Sequence, residues 1–159
     1  MKLILRVMIM KHNTPNILVD ADACPVKAEI LRVAKKHGLP VIMVIDTSHE
    51  LSDGYSTVVT VDKAADSVDF AIIARLAAGD VVVTQDFGLA SMVLAKKARA
   101  INPSGLVYTI ENIDRLLFER HFNQKARRMG EKTPHARKRT AGDNLKFLEV
   151  FERLIMTIV

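Results

Sequence analysis

The chain is 159 residues long, with 23 lysines and arginines against 18 acids and a net charge of +5. That length suits one domain with room for a C-terminal appendage, and the hydrophobic share of 49% is ample for a core. A single cysteine, Cys24, rules out an internal disulfide and fits a reducing cytoplasm. The longest apolar runs are far too short to span a membrane. Positive charge makes an anionic partner reasonable without naming one.

Residues 1–15 read as an N-terminal extension. The stretch from Met1 to His12 is apolar but broken by Arg6, and no small-residue cleavage site follows, so a secretory signal is not expected. The ordered pattern begins with Ile17-Leu18-Val19, a short buried strand ending on Asp20 and Asp22. Pro25 then suits the first turn of a helix, and Val26, Ile30, Val33, Ala34 and His37 recur at helical spacing until Gly38 and Pro40 stop it. Residues 41–45 form a second apolar strand closing on Asp46, and 47–57 read as a loop. Residues 58–61 are a third strand, 66–78 a helix, 81–83 a fourth strand and 87–97 a helix. A Pro-Gly turn leads to a fifth strand at 106–108, and 111–129 are helical. Strands alternating with helices imply βαβ units. The predicted fold is α/β, three layers (α/β/α) around a mainly parallel sheet. The strands are apolar without alternation, as in a sheet covered on both faces.

Composition shifts beyond Arg120. Arg120, Lys125, Arg127, Arg128, Lys132, Arg137, Lys138 and Arg139 stand against one acid, Glu131. Residues 16–129 are thus taken as the domain, and 130–159 as a flexible basic loop and a final helix capped by Asp143. Leu145, Leu148, Phe151 and Ile155 line one face of that helix, with Phe147, Val150 and Leu154 beside it. Such a surface must dock on the domain or on another copy, which would make a homo-oligomer.

The carboxylates carry the chemistry. Ligands of open α/β sheets bind beyond the carboxyl ends of strands, where Asp20, Asp22 and Asp86 fall. Asp66 and Asp69, three apart, share a helix face with Phe70, Ile73, Leu76 and Ala77, so both extend the expected buried stripe. Each acid also has a plain reading as a helix cap: Asp66, Asp86, and one of Asp20 and Asp22. Carboxylates clustered without histidine or cysteine favour a hard cation, Mg²⁺ or Mn²⁺, of the kind that serves phosphate chemistry. The expected metal ligands are Asp20, Asp22, Asp66, Asp69 and Asp86, with Asp20, Asp69 and Asp86 catalytic. Thr84 and Lys27 are candidate phosphate contacts. Cys24 reads as core filler, and His49 and His121 as structural.

The runs Val19-Asp20-Ala21-Asp22-Ala23-Cys24-Pro25, Ala65-Asp66-Ser67-Val68-Asp69 and Val83-Thr84-Gln85-Asp86-Phe87-Gly88-Leu89-Ala90 resemble the YaiI/YqxD family of small bacterial proteins, which has no firmly assigned activity. That family is similar to the PIN-like nucleases. The resemblance covers about residues 16–153. It implies Asp20 as the first-strand acid, Asp69 or Asp66 as the helix acid and Asp86 as the fourth-strand acid, together holding Mg²⁺ or Mn²⁺. Such nucleases carry a further acid downstream, for which only Glu111 and Asp114 are available.

The basic segment suits backbone phosphates, and Arg137, Lys138 and Arg139 are expected to contact nucleic acid with little sequence specificity. Three readings follow. The first is a metal-dependent nuclease, expected to act on RNA. The second is a phosphatase of the haloacid dehalogenase type, with Asp20 as nucleophile, Asp22 as acid/base, Thr84 on phosphate and Lys96 or Lys97 as clamp. The third is a non-catalytic nucleic-acid-binding protein that keeps the acids as a cation site.

Overall fold

A computed structural model describes residues 14–159; the apolar start expected as an extension lies almost wholly outside them. Six strands make one sheet: β1 (Ile17–Asp20), β2 (Val41–Asp46), β3 (Thr57–Val61), β4 (Val81–Val83), β5 (Arg99–Ile101) and β6 (Val107–Tyr108). Five helices cover it: α1 (Lys27–His37), α2 (Ser67–Arg75), α3 (Phe87–Ala95), α4 (Ile110–Arg128) and α5 (Ala141–Met156). The strand order is β3-β2-β1-β4-β5-β6. All pairings are parallel except β5 with β6.

This order explains which face each helix takes. The chain moves one way from β1 to β3, then returns past β1 to β4 and β5. Right-handed crossovers made in opposite directions put their helices on opposite faces. Accordingly Ile17, Val19, Met43, Ile45, Val81 and Val83 point to a core shared with α1 and α5. Leu18, Val44, Val82 and Ala100 point to the other core, with α2, α3 and α4. The alternation along each short strand is the pleat, and both faces are apolar because both are covered.

Residues 99–101, which carry no strand signal of their own, are the last parallel strand; the expected fifth strand at 106–108 is only the antiparallel edge of a hairpin. Strands of three and two residues are too short to show a periodicity. The turn between them closes through Gly105 N–H to the Asn102 carbonyl at 2.8 Å, with Gly105 at φ 88°. In α2 the buried residues are Ala71 and Ile72, followed by Leu76, whereas Phe70 is 70% exposed. The inward stripe is therefore rotated by about one residue from the one expected.

In α5 the inward residues are Phe147, Phe151, Leu154 and Ile155, and Leu145 faces solvent. Phe147 and Phe151 stack with centroids 5.2 Å apart. The cap of this helix is Thr140, not Asp143. Thr140 Oγ1 accepts from the Asp143 N–H, and Asp143 Oδ2 accepts from the Thr140 N–H at 2.8 Å, a reciprocal capping box. The helix docks on its own domain, so its apolar face is consumed there. Burying an aromatic ring this fully contributes several kcal/mol, and Phe151→Ala should cost about 3–5 kcal/mol. Leu145→Ala should stay within about 0.5 kcal/mol of the parent, as exposed positions do. Guanidinium melts of the two variants check this, and equal losses would contradict the orientation of α5.

Candidate functional site

The strand order reverses between β1 and β4, and such switch points open a crevice at the carboxyl edge. Parallel pairing sets Val19 opposite Val83. The next residues, Asp20 and Thr84, therefore emerge side by side. Thr84, 1% exposed, donates its hydroxyl to Asp20 Oδ2 at 3.0 Å and accepts from the Asp86 N–H at 3.0 Å. It positions two acid-bearing residues, and its expected contact with substrate is closed off by burial. Tyr108 donates its hydroxyl to the Thr84 carbonyl at 3.1 Å and so braces the same tip from β6.

Asp86 is the N-cap of α3, accepting from the Leu89 N–H at 3.0 Å through Oδ1. Gly88 lies against it, and a Cβ there would fall 3.1 Å from the same oxygen. Asp69 sits in the first turn of α2, half-buried. Its carboxyl is pushed up to about 6, first by burial and then by the charges of Asp86, Asp20 and Asp66. The Asp20 carboxyl also lies above its ordinary range. Burial raises it most, the Thr84 hydrogen bond opposes this, and Asp22 and Asp86 add repulsion. Three strand or helix tips thus direct negative charge at one another.

Asp66 is exposed and stands at the N-cap position of α2 in a left-handed conformation, φ 63°, where its side chain makes no cap. Aspartate tolerates that region better than most residues. The capping role fails for Asp20 and Asp22 as well. Helix α1 starts at Lys27 rather than Pro25, and its N-cap, Val26, has no capping side chain. Asp22 turns instead toward β2, where Oδ1 accepts from the Asp46 N–H at 3.1 Å. The same oxygen lies 3.0 Å from His49 Nδ1, which is also 3.0 Å from Asp46 Oδ1. Asp46 is held down at about 2 by hydrogen bonds from the Ser48 and His49 side chains and the Ser48 N–H.

Among the described residues, one trio brings its ligand atoms all within 4.8 Å of one another: Asp22, Asp46 and His49. Asp20, Asp69 and Asp86 do not close to that spacing; Thr84 holds Asp20, and its cap holds Asp86. This group at β2 lies outside the expected site; its signal in the sequence is Asp46 at a strand tip with His49 three residues on.

Arg120 was also missed as a site residue. It continues the inward stripe Ile113–Leu116 of α4, and its Nη1 lies 3.9 Å from Asp86 Oδ1. A hollow lined by Asp20, Gln85, Asp86, Phe87 and Arg120 lies over the acids. A second hollow shares Phe87 and Arg120 and runs on along Asn123, Gln124 and Arg127, with Leu116 and Glu119. On the other side of Asp20 a small pocket is lined by Ala23, Cys24, Gln85 and Pro103. Cys24 is 8% exposed, and burial pushes its thiol up, which suits filler rather than a nucleophile.

Glu111 and Asp114 are exposed on α4. Lys27 is half-buried beside Cys24. In the basic segment, Arg137 pairs bidentately with Asp143, at 2.6 and 2.9 Å. Arg139 donates to Asn144 Oδ1 at 2.6 Å and to the Pro103 carbonyl at 2.7 Å. Both arginines fasten the start of α5; Arg137 stays exposed there, as does Lys138 between them. Among the described residues, no helix is long and apolar enough to cross a membrane.

Fold and strand tips together define an α/β domain with acids gathered at the switch point of a mainly parallel sheet. Residues 18–157 match the family described as "Uncharacterized BCR, YaiI/YqxD family", and the chain belongs to it. A UPF0178 protein of Ruminiclostridium cellulolyticum is 57% identical over 143 residues, 90% of this chain and 91% of the relative. Another from Lachnoclostridium phytofermentans is 50% identical over 145 residues, 89% and 97% of the two chains. A third, from Clostridium kluyveri, is 48% identical over 140 residues, 88% and 92%. No solved structure matches.

The raised Asp69 carboxyl has a consequence for stability. Its folded value of about 6 exceeds the ordinary 3.8, so the folded chain binds more protons between those values. Its contribution is therefore present at low pH and lost as pH rises toward about 6. In metal-free protein, Asp69→Asn should gain on the parent in stability as pH is raised from about 4 to 7. Urea melts across that range measure the difference, and a flat difference would contradict the placement of Asp69 among the acids.

Proposed function

We propose that the chain is a metal-dependent phosphodiesterase of the PIN-like nuclease kind, acting on RNA. The observation that carries this is that Asp20, Asp69 and Asp86 lie close enough at the switch point for their charges to act on one another, with Asp20 and Asp69 raised first by burial and then by that repulsion. Mutually repelling carboxylates with no histidine or thiol among them suit Mg²⁺ or Mn²⁺. More widely spaced than one tight ligand set, they suit an ion held by one or two carboxylates, with waters and a substrate phosphate completing the shell. When bound, such an ion polarises a phosphoryl oxygen and makes a water acidic enough to attack phosphorus.

The residues supply the rest. Asp69 carries neither the Thr84 bond that holds Asp20 nor the cap that holds Asp86, and so would be the carboxylate to take a proton from the attacking water. Thr84 holds Asp20 and the Asp86 backbone in register. Arg120 brings a guanidinium to the acid edge, where a phosphate oxygen would sit. The P–O bond to the leaving nucleoside oxygen then breaks, and that oxygen collects a proton from solvent.

The phosphatase reading is less well supported. Asp22 is engaged by the Asp46 N–H and His49, and Lys96 donates to the Ile73 carbonyl at 3.0 Å. The acid/base and clamp roles are thereby turned away from Asp20.

With Mn²⁺ the protein should cleave single-stranded RNA, and Asp86→Asn should abolish cleavage. Asparagine caps helices as well as aspartate does, so the variant should keep α3. No phosphate should be trapped on Asp20 from a small phosphomonoester, since activated water forms no covalent intermediate. Mn²⁺ should raise the melting temperature of the parent and far less that of Asp20→Asn. Label on Asp20, or an equal metal shift in both proteins, would overturn the nuclease reading.

A further inference from the structure

The second half of α4 extends past the part of the helix that packs. Ile113 and Leu116 are buried, but from Phe118 onward almost every residue is exposed. Two faces of this extension differ in chemistry. On the side that continues the inward stripe stand Arg120, Asn123, Gln124 and Arg127, lining one hollow with Phe87. On the far side stand Phe118 and Phe122, stacked with centroids 6.4 Å apart, with Lys125 and Met129. The inward hollow adjoins the acid hollow, since Phe87 and Arg120 line both.

The acid within it is partly accounted for: Glu119 accepts from Arg115 at 3.0 Å. Arg127 donates Nε to Thr133 Oγ1 at 2.8 Å, which steadies its guanidinium at the distal end. Seven residues of helix separate the two arginines, about 10 Å at a rise of about 1.5 Å per residue. That is long enough to engage more than one backbone phosphate. Amide side chains between two guanidiniums can donate to phosphate and sugar oxygens without reading sequence.

We propose that this inward face of α4 is the track for a single RNA strand leading into the acid hollow. Arg120 holds the phosphate next to Asp86, and Asn123, Gln124 and Arg127 carry the strand away from it. The proposal rests on the nuclease reading for its substrate class. It moves the nucleic-acid contact from Arg137 and Arg139, which fasten α5, to α4. Lys125 supplies an internal control, because it carries the same charge on the opposite face.

The test is equilibrium binding of a fluorescent oligouridylate to the full chain in EDTA, so that no cleavage step enters. Arg127→Ala and Asn123→Ala should each weaken binding, Arg127→Ala by roughly fivefold or more, and Arg127→Ala should lower the log–log salt slope by about 0.7. Lys125→Ala should bind like the parent. All three positions are exposed, and unchanged melting temperatures confirm that the variants fold. Equal losses for Lys125→Ala and Arg127→Ala would overturn the track, as would parent-like binding by Arg127→Ala or failure of the parent to bind. Loss of binding in the track variants without Mn²⁺-dependent cleavage by the parent would support the track and sink the catalytic reading instead.

Discussion

The pairing of β1 with β4 is the constraint on which the arrangement at the strand tips depends. It sets Val19 against Val83, and so brings Asp20 within one hydrogen bond of Thr84. The Thr84 hydroxyl serves both neighbours at once, donating to a carboxylate and accepting from a backbone amide. A valine there would fill the same space but leave the Asp20 oxygen and the Asp86 N–H without that partner. Both lie at a half-buried edge where unpaired polar groups are costly. Tyr108, reaching across from the hairpin edge, ties the far side of the sheet into the same small network.

Acids so placed work against the fold, and the cores offset them. The sheet is sandwiched between two apolar clusters, one completed by α5 and the other by α2, α3 and α4. Repulsion among Asp20, Asp69, Asp86 and Asp66 is concentrated at one edge and relieved in part by local donors and by Arg120, whose Nη1 lies 3.9 Å from Asp86 Oδ1. Asp80 shows the contrasting use of a carboxylate. It is 3% exposed, accepts from the Asn16 and Ala77 N–H groups, and locks the start of β1 to the loop before β4. A stability role and a chemical role thus stand at opposite ends of the same strands.

Much of this architecture could be read from residue order. The short apolar runs ending at Asp20, Asp46, Val61 and Thr84, and the periodic helices between them, made the layered α/β fold and the positions of Asp20 and Asp86 at strand tips legible. The three-residue β5 was not, because nothing in Arg99-Ala100-Ile101 distinguishes a strand from a loop without its partner. Helix faces were legible to within about one residue, which was enough to bring Asp69 inward but misassigned Phe70 and Leu145. Asp22 was read with Asp20 because they are neighbours in sequence. Side chains two apart on an irregular turn need not share a direction, and the amide of Asp46, 24 residues away, drew Asp22 to β2. Long-range hydrogen bonds of that kind leave no local signal. The basic loop shows the same limit: Arg137 and Arg139 look like free cations until the partners that fasten them, Asp143, Asn144 and Pro103, are seen.

The last helix gives the chain a particular order of assembly. Phe147, Phe151 and Ile155 are wholly buried against residues of β1, β2 and α1, more than a hundred positions earlier. Synthesis runs from the N-terminus, and domains fold as units once their parts are available. The sheet face lined by Ile17, Val19 and Val83 therefore has only α1 to cover it until α5 has been synthesised. A nascent chain stalled before α5 would carry the strand tips and the acids, but with a sticky flank that chaperones, or another unfinished copy, would meet first.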